Sequence, residues 1–103
     1  MKEPKLPIKR VVCKDGFSMS VQASEYNYCS PKVDYCDKYA QVEVGFPSAK
    51  ESLLMPYVED AEKPTDTVYP YVPVSVVSLV LAKHGGMVSG EVPPGVPELR
   101  AQR

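Results

Sequence analysis

Tryptophan is absent from this chain of 103 residues, and phenylalanine occurs only at Phe17 and Phe46. Seven tyrosines therefore carry most of the aromatic content. Tyrosine joins a large apolar ring to a polar hydroxyl, so it suits positions where one end is dry and the other meets water or a partner. The aromatic content thus favours a binding surface over a large sealed core.

An excess of charge of one sign is also missing, since 12 basic and 13 acidic residues give a formal net charge of −1. This balance argues against general affinity for nucleic acid. No apolar run reaches the roughly 18 residues that a transmembrane helix needs, so no membrane association is predicted. The N-terminal MKEPKLPIKR lacks an apolar core, and the sequence therefore predicts no signal peptide.

Cysteine occurs three times, an odd number for a secreted disulfide framework. The sequence therefore predicts that the protein acts in a reducing cytoplasm and that its thiols are free. Structural zinc sites usually separate paired cysteines by about two to four residues, and no pair here has that spacing. We predict no metal and no cofactor, with a zinc site and a Cys29–Cys36 disulfide as the weaker alternatives. The residues that such a zinc site would use are Cys13, Cys29, Cys36 and His84.

Catalytic motifs are missing as well, since the chain contains no GxxxxGK[ST], GxGxxG or HExxH sequence. A nucleophile needs an oriented base beside it, and the one histidine, His84, directly precedes Gly85-Gly86. That position is typical of a helix C-terminus, where a cationic side chain is favourable. The chain is therefore predicted not to be an enzyme.

Asp15-Gly16 gives the clearest local signal, because this dipeptide favours a two-residue hairpin turn. Residues 8–13 precede the turn, and residues 17–23 follow it with strict alternation of apolar and polar side chains. The same period of two recurs over residues 40–46, and this period is typical of half-buried antiparallel strands. Residues 53–58 are predicted to be an edge strand, because Pro56 lacks a backbone donor.

The region after residue 67 changes from strand to helix. Residues 68–71 are predicted to be extended, and from Val74 to His84 apolar residues recur at helical spacing. One helix on a small antiparallel sheet of about 4–5 strands is the simplest layered arrangement, an α+β fold. The predicted organisation is a flexible N-terminus over 1–7, one domain over 8–86, and an extended or disordered tail over 87–103. So thin a domain leaves apolar surface that a second copy could cover, so a homodimer stays open.

Residues 25–38, EYNYCSPKVDYCDK, show no period and are predicted to be a long loop, a kind of segment that often carries function. Tyrosines are enriched at protein interfaces, so this loop is the predicted contact surface. Interleaved lysines also resemble a single-stranded nucleic-acid site, but neighbouring acidic residues cancel their charge. A further alternative is that a separate acidic run mimics nucleic acid; this run contains Glu59, Asp60, Glu62 and Asp66. The predicted partner-binding residues are Tyr26, Tyr28, Lys32, Tyr35 and Tyr39.

Five blocks of the sequence resemble short uncharacterised proteins of tailed bacteriophages and prophages. The blocks are RVVCKDGFSMSVQAS, YCSP, VEVGFPS, LLMPYVED and TVYPYVPVSVVSLVLAKHGG, and they span about residues 10–86. That group has no established activity, so no site residues carry over. The resemblance implies a phage-encoded accessory protein that acts in the bacterial cytoplasm.

Small phage accessory proteins commonly act by stoichiometric binding. The leading hypothesis is therefore a non-enzymatic protein that binds a host protein, such as a defence or nucleic-acid-processing protein. One alternative is a binder or sponge for a small nucleotide signal, in which tyrosines stack on the base and lysines hold phosphate. Another is a minor component of the virion.

Overall fold

A computed structural model of the chain describes residues 6–102. Within them, five strands form one antiparallel sheet in the order β4-β3-β2-β1-β5. One α-helix, α1 (Val74–Lys83), follows β4 directly. The α+β architecture predicted from the sequence is confirmed. The strands are β1 (Val11–Cys13), β2 (Ser18–Gln22), β3 (Gln41–Gly45), β4 (Val68–Pro73) and β5 (Met87–Ser89).

A hairpin joins β1 to β2 around Asp15-Gly16, as predicted, but its loop is longer than the predicted two residues. Val12 pairs with Ser18 and the Cys13 amide donates to the Phe17 carbonyl at 2.8 Å, so the three residues 14–16 form the loop. Gly16 has a φ of +94°, a conformation that a residue with a Cβ rarely adopts. The Asp15 carboxylate accepts a hydrogen bond of 2.9 Å from the amide of Phe17. This side-chain bond closes the turn locally, which explains why so short a stretch of sequence predicts it.

Alternation along the strands divides the sheet into a buried and an open face. In β2, Met19 and Val21 are fully buried, whereas Ser18, Ser20 and Gln22 are half-buried. The helix contributes Val77, Val80 and Leu81 to the same core. The polar face of β2 and β3 is therefore left free to support the loop that connects these two strands.

Residues 53–58 do not form the predicted edge strand. Met55–Tyr57 is instead one turn of 3₁₀ helix, with Leu54 in the right-handed helical region. Pro56 fits there because the first positions of a helix need no backbone donor. Leu54 is fully buried, so the apolar residues of this segment are explained by packing of the turn onto the core.

Strand β5 was not predicted. It lies within residues 87–103, the predicted extended or disordered tail, and pairs with β1 through Val12 and Cys13. Met87 is buried and forms a parallel bridge with Arg100, and Val96 is buried in the core. Of the predicted flexible N-terminus, residues 1–5 lie outside the described residues, as does residue 103 of the tail. Between residues 6 and 102, no helix is long and apolar enough to cross a membrane.

Candidate functional site

A β-bulge in β4 brings an unexpected tyrosine to the surface. Val42 pairs with Val72 and Val44 pairs with Tyr69, so Pro70 and Tyr71 both lie opposite one residue of β3, Glu43. The extra residue breaks the alternation, which keeps Tyr69 buried and leaves Tyr71 43% exposed. Tyr71 has a φ of +52°, the left-handed region that non-glycine residues rarely occupy.

The carboxylate of Glu43 holds the loop between β2 and β3 against this bulge. One oxygen accepts a 3.0 Å hydrogen bond from the amide of Tyr28, and the other accepts a 3.2 Å bond from the side chain of Asn27. The amide of Tyr71 donates to the carbonyl of Tyr28 at 3.0 Å. Loop and bulge are therefore joined by both backbone and side-chain bonds.

These bonds assemble an exposed aromatic cluster, which we define as Tyr28, Lys32 and Tyr71. The rings of Tyr28 and Tyr71 are tilted by 50° with centroids 6.0 Å apart. The Lys32 ammonium lies 5.2 Å from the centroid of the Tyr28 ring, within the range of a cation–π interaction. The aromatic cluster thus presents two rings and one positive charge, all partly accessible to a partner.

Tyr26 and Tyr35 are the other exposed tyrosines of the loop. A hydrogen bond between their sequence neighbours, Glu25 and Asp34, holds this part of the loop together. Glu25, next to Tyr26, donates its amide to the carboxylate of Asp34, next to Tyr35, at 2.9 Å. Tyr26 is 77% exposed and Tyr35 is 60% exposed. Four of the five predicted contact residues, Tyr26, Tyr28, Lys32 and Tyr35, therefore lie at the surface of an internally bonded loop.

Tyr39, the fifth predicted contact residue, lies in the core and not at the surface. Its side chain is fully buried, and its hydroxyl donates to the carbonyl of Val33 at 2.6 Å and accepts from the amide of Cys36 at 3.3 Å. Burial raises the pKa of the Tyr39 hydroxyl, although the bond from Cys36 opposes the rise. Tyr39 therefore positions the loop from inside instead of touching a partner.

Glu43→Ala is expected to loosen the loop and to lower the free energy of unfolding by about 1–2 kcal/mol. The substitution leaves the Tyr28 amide without its acceptor, so its hydrogen exchange should accelerate. Exchange measured by NMR tests this, with Glu59→Ala, another acidic residue at the surface, as the matched control. Unchanged protection of the Tyr28 amide in Glu43→Ala would show that this carboxylate does not hold the loop.

The one histidine lies outside the aromatic cluster. Nδ1 of His84 is 2.6 Å from a carboxylate oxygen of Asp15, and Nε2 is 2.6 Å from one of Glu51. An ionised carboxylate only accepts hydrogen bonds, so both ring nitrogens donate. While these bonds hold, His84 has no lone pair with which to take a proton from a substrate.

The cysteines are not assembled with His84 in the described part of the chain. No disulfide joins the three cysteines within residues 6–102, where Cys13 and Cys29 are buried and Cys36 is half-buried. The Cys29 thiol donates to the carbonyl of Ser24 at 3.2 Å, and burial raises the pKa of the Cys13 thiol. Residues 6–102 contain no group of three or more His, Cys, Asp or Glu side chains that could hold a metal ion.

Two residues of this surface, Tyr71 and Glu43, were not among the predicted partner-binding residues. Simple alternation places Tyr71 on the same face as Tyr69, and only the bulge separates them. Pro70, which lacks a backbone donor, was the available signal, because proline inside a strand marks a bulge or an edge. Comparisons with protein-family models, with curated proteins and with solved structures found no match to this chain.

Proposed function

We propose that this protein is a non-enzymatic binding protein that acts by stoichiometric contact with another protein. The contact surface consists of the aromatic cluster together with Tyr26 and Tyr35 of the same loop. The observation that carries the proposal is an exposed group of tyrosines on a loop that hydrogen bonds hold in one conformation. Following the phage resemblance, the partner is a host protein in the bacterial cytoplasm.

Exposed tyrosine rings support a protein partner on energetic grounds. A tyrosine offers a large contact area and loses little side-chain entropy on binding, because it has only two rotatable side-chain bonds. Tyr26 and Tyr28 are 77% and 44% exposed. Burying such rings against a partner recovers hydrophobic free energy that the free protein leaves unused. Residues of this type are the ones that most often dominate binding at protein interfaces.

The backbone around these rings is fixed before any partner arrives. Ser30 and Gln41 close the base of the loop, where the Ser30 amide donates to the Gln41 carbonyl at 3.0 Å. Tyr71 holds a left-handed conformation, which costs roughly 1–2 kcal/mol in a residue with a Cβ. Because these bonds already constrain the loop in the free protein, they reduce the conformational entropy that association has to remove.

The charges around the loop favour a protein partner over a nucleic acid. Lys32 and Lys38 are the basic side chains of the loop, and Glu25, Asp34 and Asp37 are its acidic ones. The phosphate backbone of a nucleic acid binds best to a strongly basic surface, whereas a surface of mixed charge suits a protein of complementary charge.

The pocket beside Tyr26 bears on the small-ligand alternative. Its volume of about 140 Å³ is small compared with the roughly 300–1,000 Å³ of typical ligand pockets.

Replacing Tyr28 and Tyr71 together by alanine is expected to weaken partner binding by at least about 30-fold, or 2 kcal/mol, as at interface hot spots. Both side chains are exposed, so the melting temperature should change little. The wild type and this variant are immobilised, exposed to bacterial lysate, and compared by quantitative mass spectrometry. Binding of the purified partner is then measured by calorimetry.

Val88→Ala is the matched control, because Val88 is 53% exposed and lies on β5, at the opposite edge of the sheet from Tyr71. The proposal requires one protein that the wild type and Val88→Ala retain and that the double variant loses. Equal retention by all three proteins contradicts it. A nucleotide released when the wild-type protein is denatured would instead favour the small-ligand alternative.

A further inference from the structure

His84 ends α1 and is enclosed by side chains from two other segments. Asp15 reaches it from the β1–β2 turn, and Glu51 reaches it from the segment between β3 and the 3₁₀ turn. Phe17 stacks on the imidazole, with ring centroids 4.1 Å apart and an angle of 13° between the planes. The histidine thus connects three parts of the chain that are distant in sequence.

Charge balance explains why the imidazole is protonated in this arrangement. Glu51 is 1% exposed, and its second oxygen accepts hydrogen bonds from the Leu53 amide and from the Lys83 ammonium. Two carboxylates, those of Asp15 and Glu51, then face two cations, Lys83 and protonated His84. Neutral His84 would leave a buried carboxylate incompletely compensated and would turn a nitrogen lone pair toward one of the two acids, which is unfavourable.

Backbone bonds show which parts of the fold depend on this contact. The Asp15 amide donates to the His84 carbonyl at 3.3 Å, and the Lys14 amide donates to the Gly86 carbonyl at 2.9 Å. The hairpin turn is therefore docked on the residues that lead from α1 into β5. Glu51 fastens the segment that precedes the 3₁₀ turn to the same point.

We propose that protonated His84 is a pH-sensitive lock that fastens the β1–β2 turn and the segment around Glu51 to the end of α1. The lock is closed while the imidazole is protonated and both carboxylates are ionised, and it opens as the pH rises and the imidazole loses its proton. It lies apart from the aromatic cluster, whose side chains make none of the bonds to His84. The device therefore holds whether or not the tyrosines bind a partner.

The groups that face the lock set the direction of its response. Burial alone would lower the pKa of His84, but hydrogen bonds to Glu51 and Asp15 and their negative charges outweigh burial and raise it above 6.5. Lys83 belongs to the lock through Glu51, and the Lys14 ammonium donates to the carbonyl of Gln102 at 3.5 Å.

The same contacts hold both acids ionised. A hydrogen bond from the Phe17 amide, followed by the bond with His84, lowers the pKa of Asp15. Burial would raise the pKa of Glu51, yet the bonds from Leu53, Lys83 and His84 lower it. A group whose pKa is raised by folding stabilises the fold fully below its unfolded pKa of 6.5 and loses this contribution as the pH rises through the folded value.

Because the chain has one histidine, its titration can be followed by NMR without ambiguity. The expected ring-nitrogen spectrum shows two protonated nitrogens at pH 6.5 and a titration midpoint above that of a free histidine. Above the midpoint, the amide of Leu53, which donates to Glu51, should lose protection from exchange by at least about tenfold. A midpoint at or below 6.5 would overturn the lock.

Asp15→Asn provides a variant that should still fold, because asparagine Oδ1 can accept the same bond from the Phe17 amide. Its titration midpoint should fall below that of the wild type, since one negative charge has been removed from Nδ1. The matched control is Asp66→Asn, in an exposed acidic loop, which should leave the midpoint unchanged. Equal midpoints in the wild type and Asp15→Asn would contradict the proposal, as would an equal shift in both variants.

Discussion

Gly95→Ala is expected to destabilise the protein by about 3–5 kcal/mol, the sum of a backbone strain and a steric overlap. Gly95 has a φ of +104°, and a Cβ built there would lie 2.3 Å from the carbonyl oxygen of Tyr39 and 2.8 Å from its nitrogen. These atoms belong to the backbone and cannot rotate away. The Tyr39 amide also donates to the Pro94 carbonyl at 2.8 Å, so a shift that relieves the overlap breaks this bond.

Alanine substitutions at two other glycines distinguish the cost of backbone strain from the cost of steric overlap. Gly16 has a φ of +94° with no atom within 4 Å of a built Cβ, so Gly16→Ala should cost only about 1–2 kcal/mol. Gly45 lies in β3, where the nearest atoms are 3.8 Å from a built Cβ, so Gly45→Ala should have little effect. Urea denaturation measures all three free energies of unfolding. A cost at Gly95 no greater than that at Gly16 would contradict the overlap.

Tyr39→Ala is expected to lower the free energy of unfolding by about 3–5 kcal/mol, the usual cost of removing a large buried aromatic side chain. The ring is fully buried in the core, and the loop closes over it through Val33 and Cys36. Since small domains are stable by only about 5–15 kcal/mol, this loss should be visible as a large fall in melting temperature.

Tyr39→Phe keeps the ring and removes only the hydroxyl, so it should cost about 1–2 kcal/mol. Tyr26→Ala removes a ring that is 77% exposed and should change the stability by no more than about 0.5 kcal/mol. Calorimetric melting of the three variants distinguishes a scaffold tyrosine from a surface tyrosine. Equal melting temperatures for Tyr39→Ala and Tyr26→Ala would contradict the burial of Tyr39.

The sequence predicted those parts of the fold that short-range interactions determine. The turn around Asp15-Gly16 is closed by hydrogen bonds among residues 13–17. The alternation in β2 and β3 follows directly from one buried face. The end of α1 at His84 was also predicted, from the glycines that follow it. The 3₁₀ turn at Met55–Tyr57 and the three-residue β5 were missed, because segments this short show no period.

Long-range contacts explain what was and was not predictable at the candidate site. The sequence identified the loop and four residues that lie at its surface, since tyrosine content and lack of period are local properties. It placed Tyr39 wrongly because the burial of Tyr39 depends on Pro94 and Gly95, more than 50 residues later in the chain. The partners of His84 lie 69 and 33 residues away, at Asp15 and Glu51, a separation that no local pattern spans.

The bridge between Met87 and Arg100 has a consequence for the behaviour of the protein in solution. Outermost strands offer unpaired amides and carbonyls to other molecules and are a common origin of aggregation. Here the Met87 amide donates to the Leu99 carbonyl at 2.8 Å, and the Ala101 amide donates to the Met87 carbonyl at 2.9 Å. At the opposite edge strand, β4, the Glu59 amide donates to the Val68 carbonyl at 3.1 Å. Irregular segments of the chain thus occupy part of each edge strand, at Met87 and at Val68, and reduce the backbone that is open to intermolecular strand pairing.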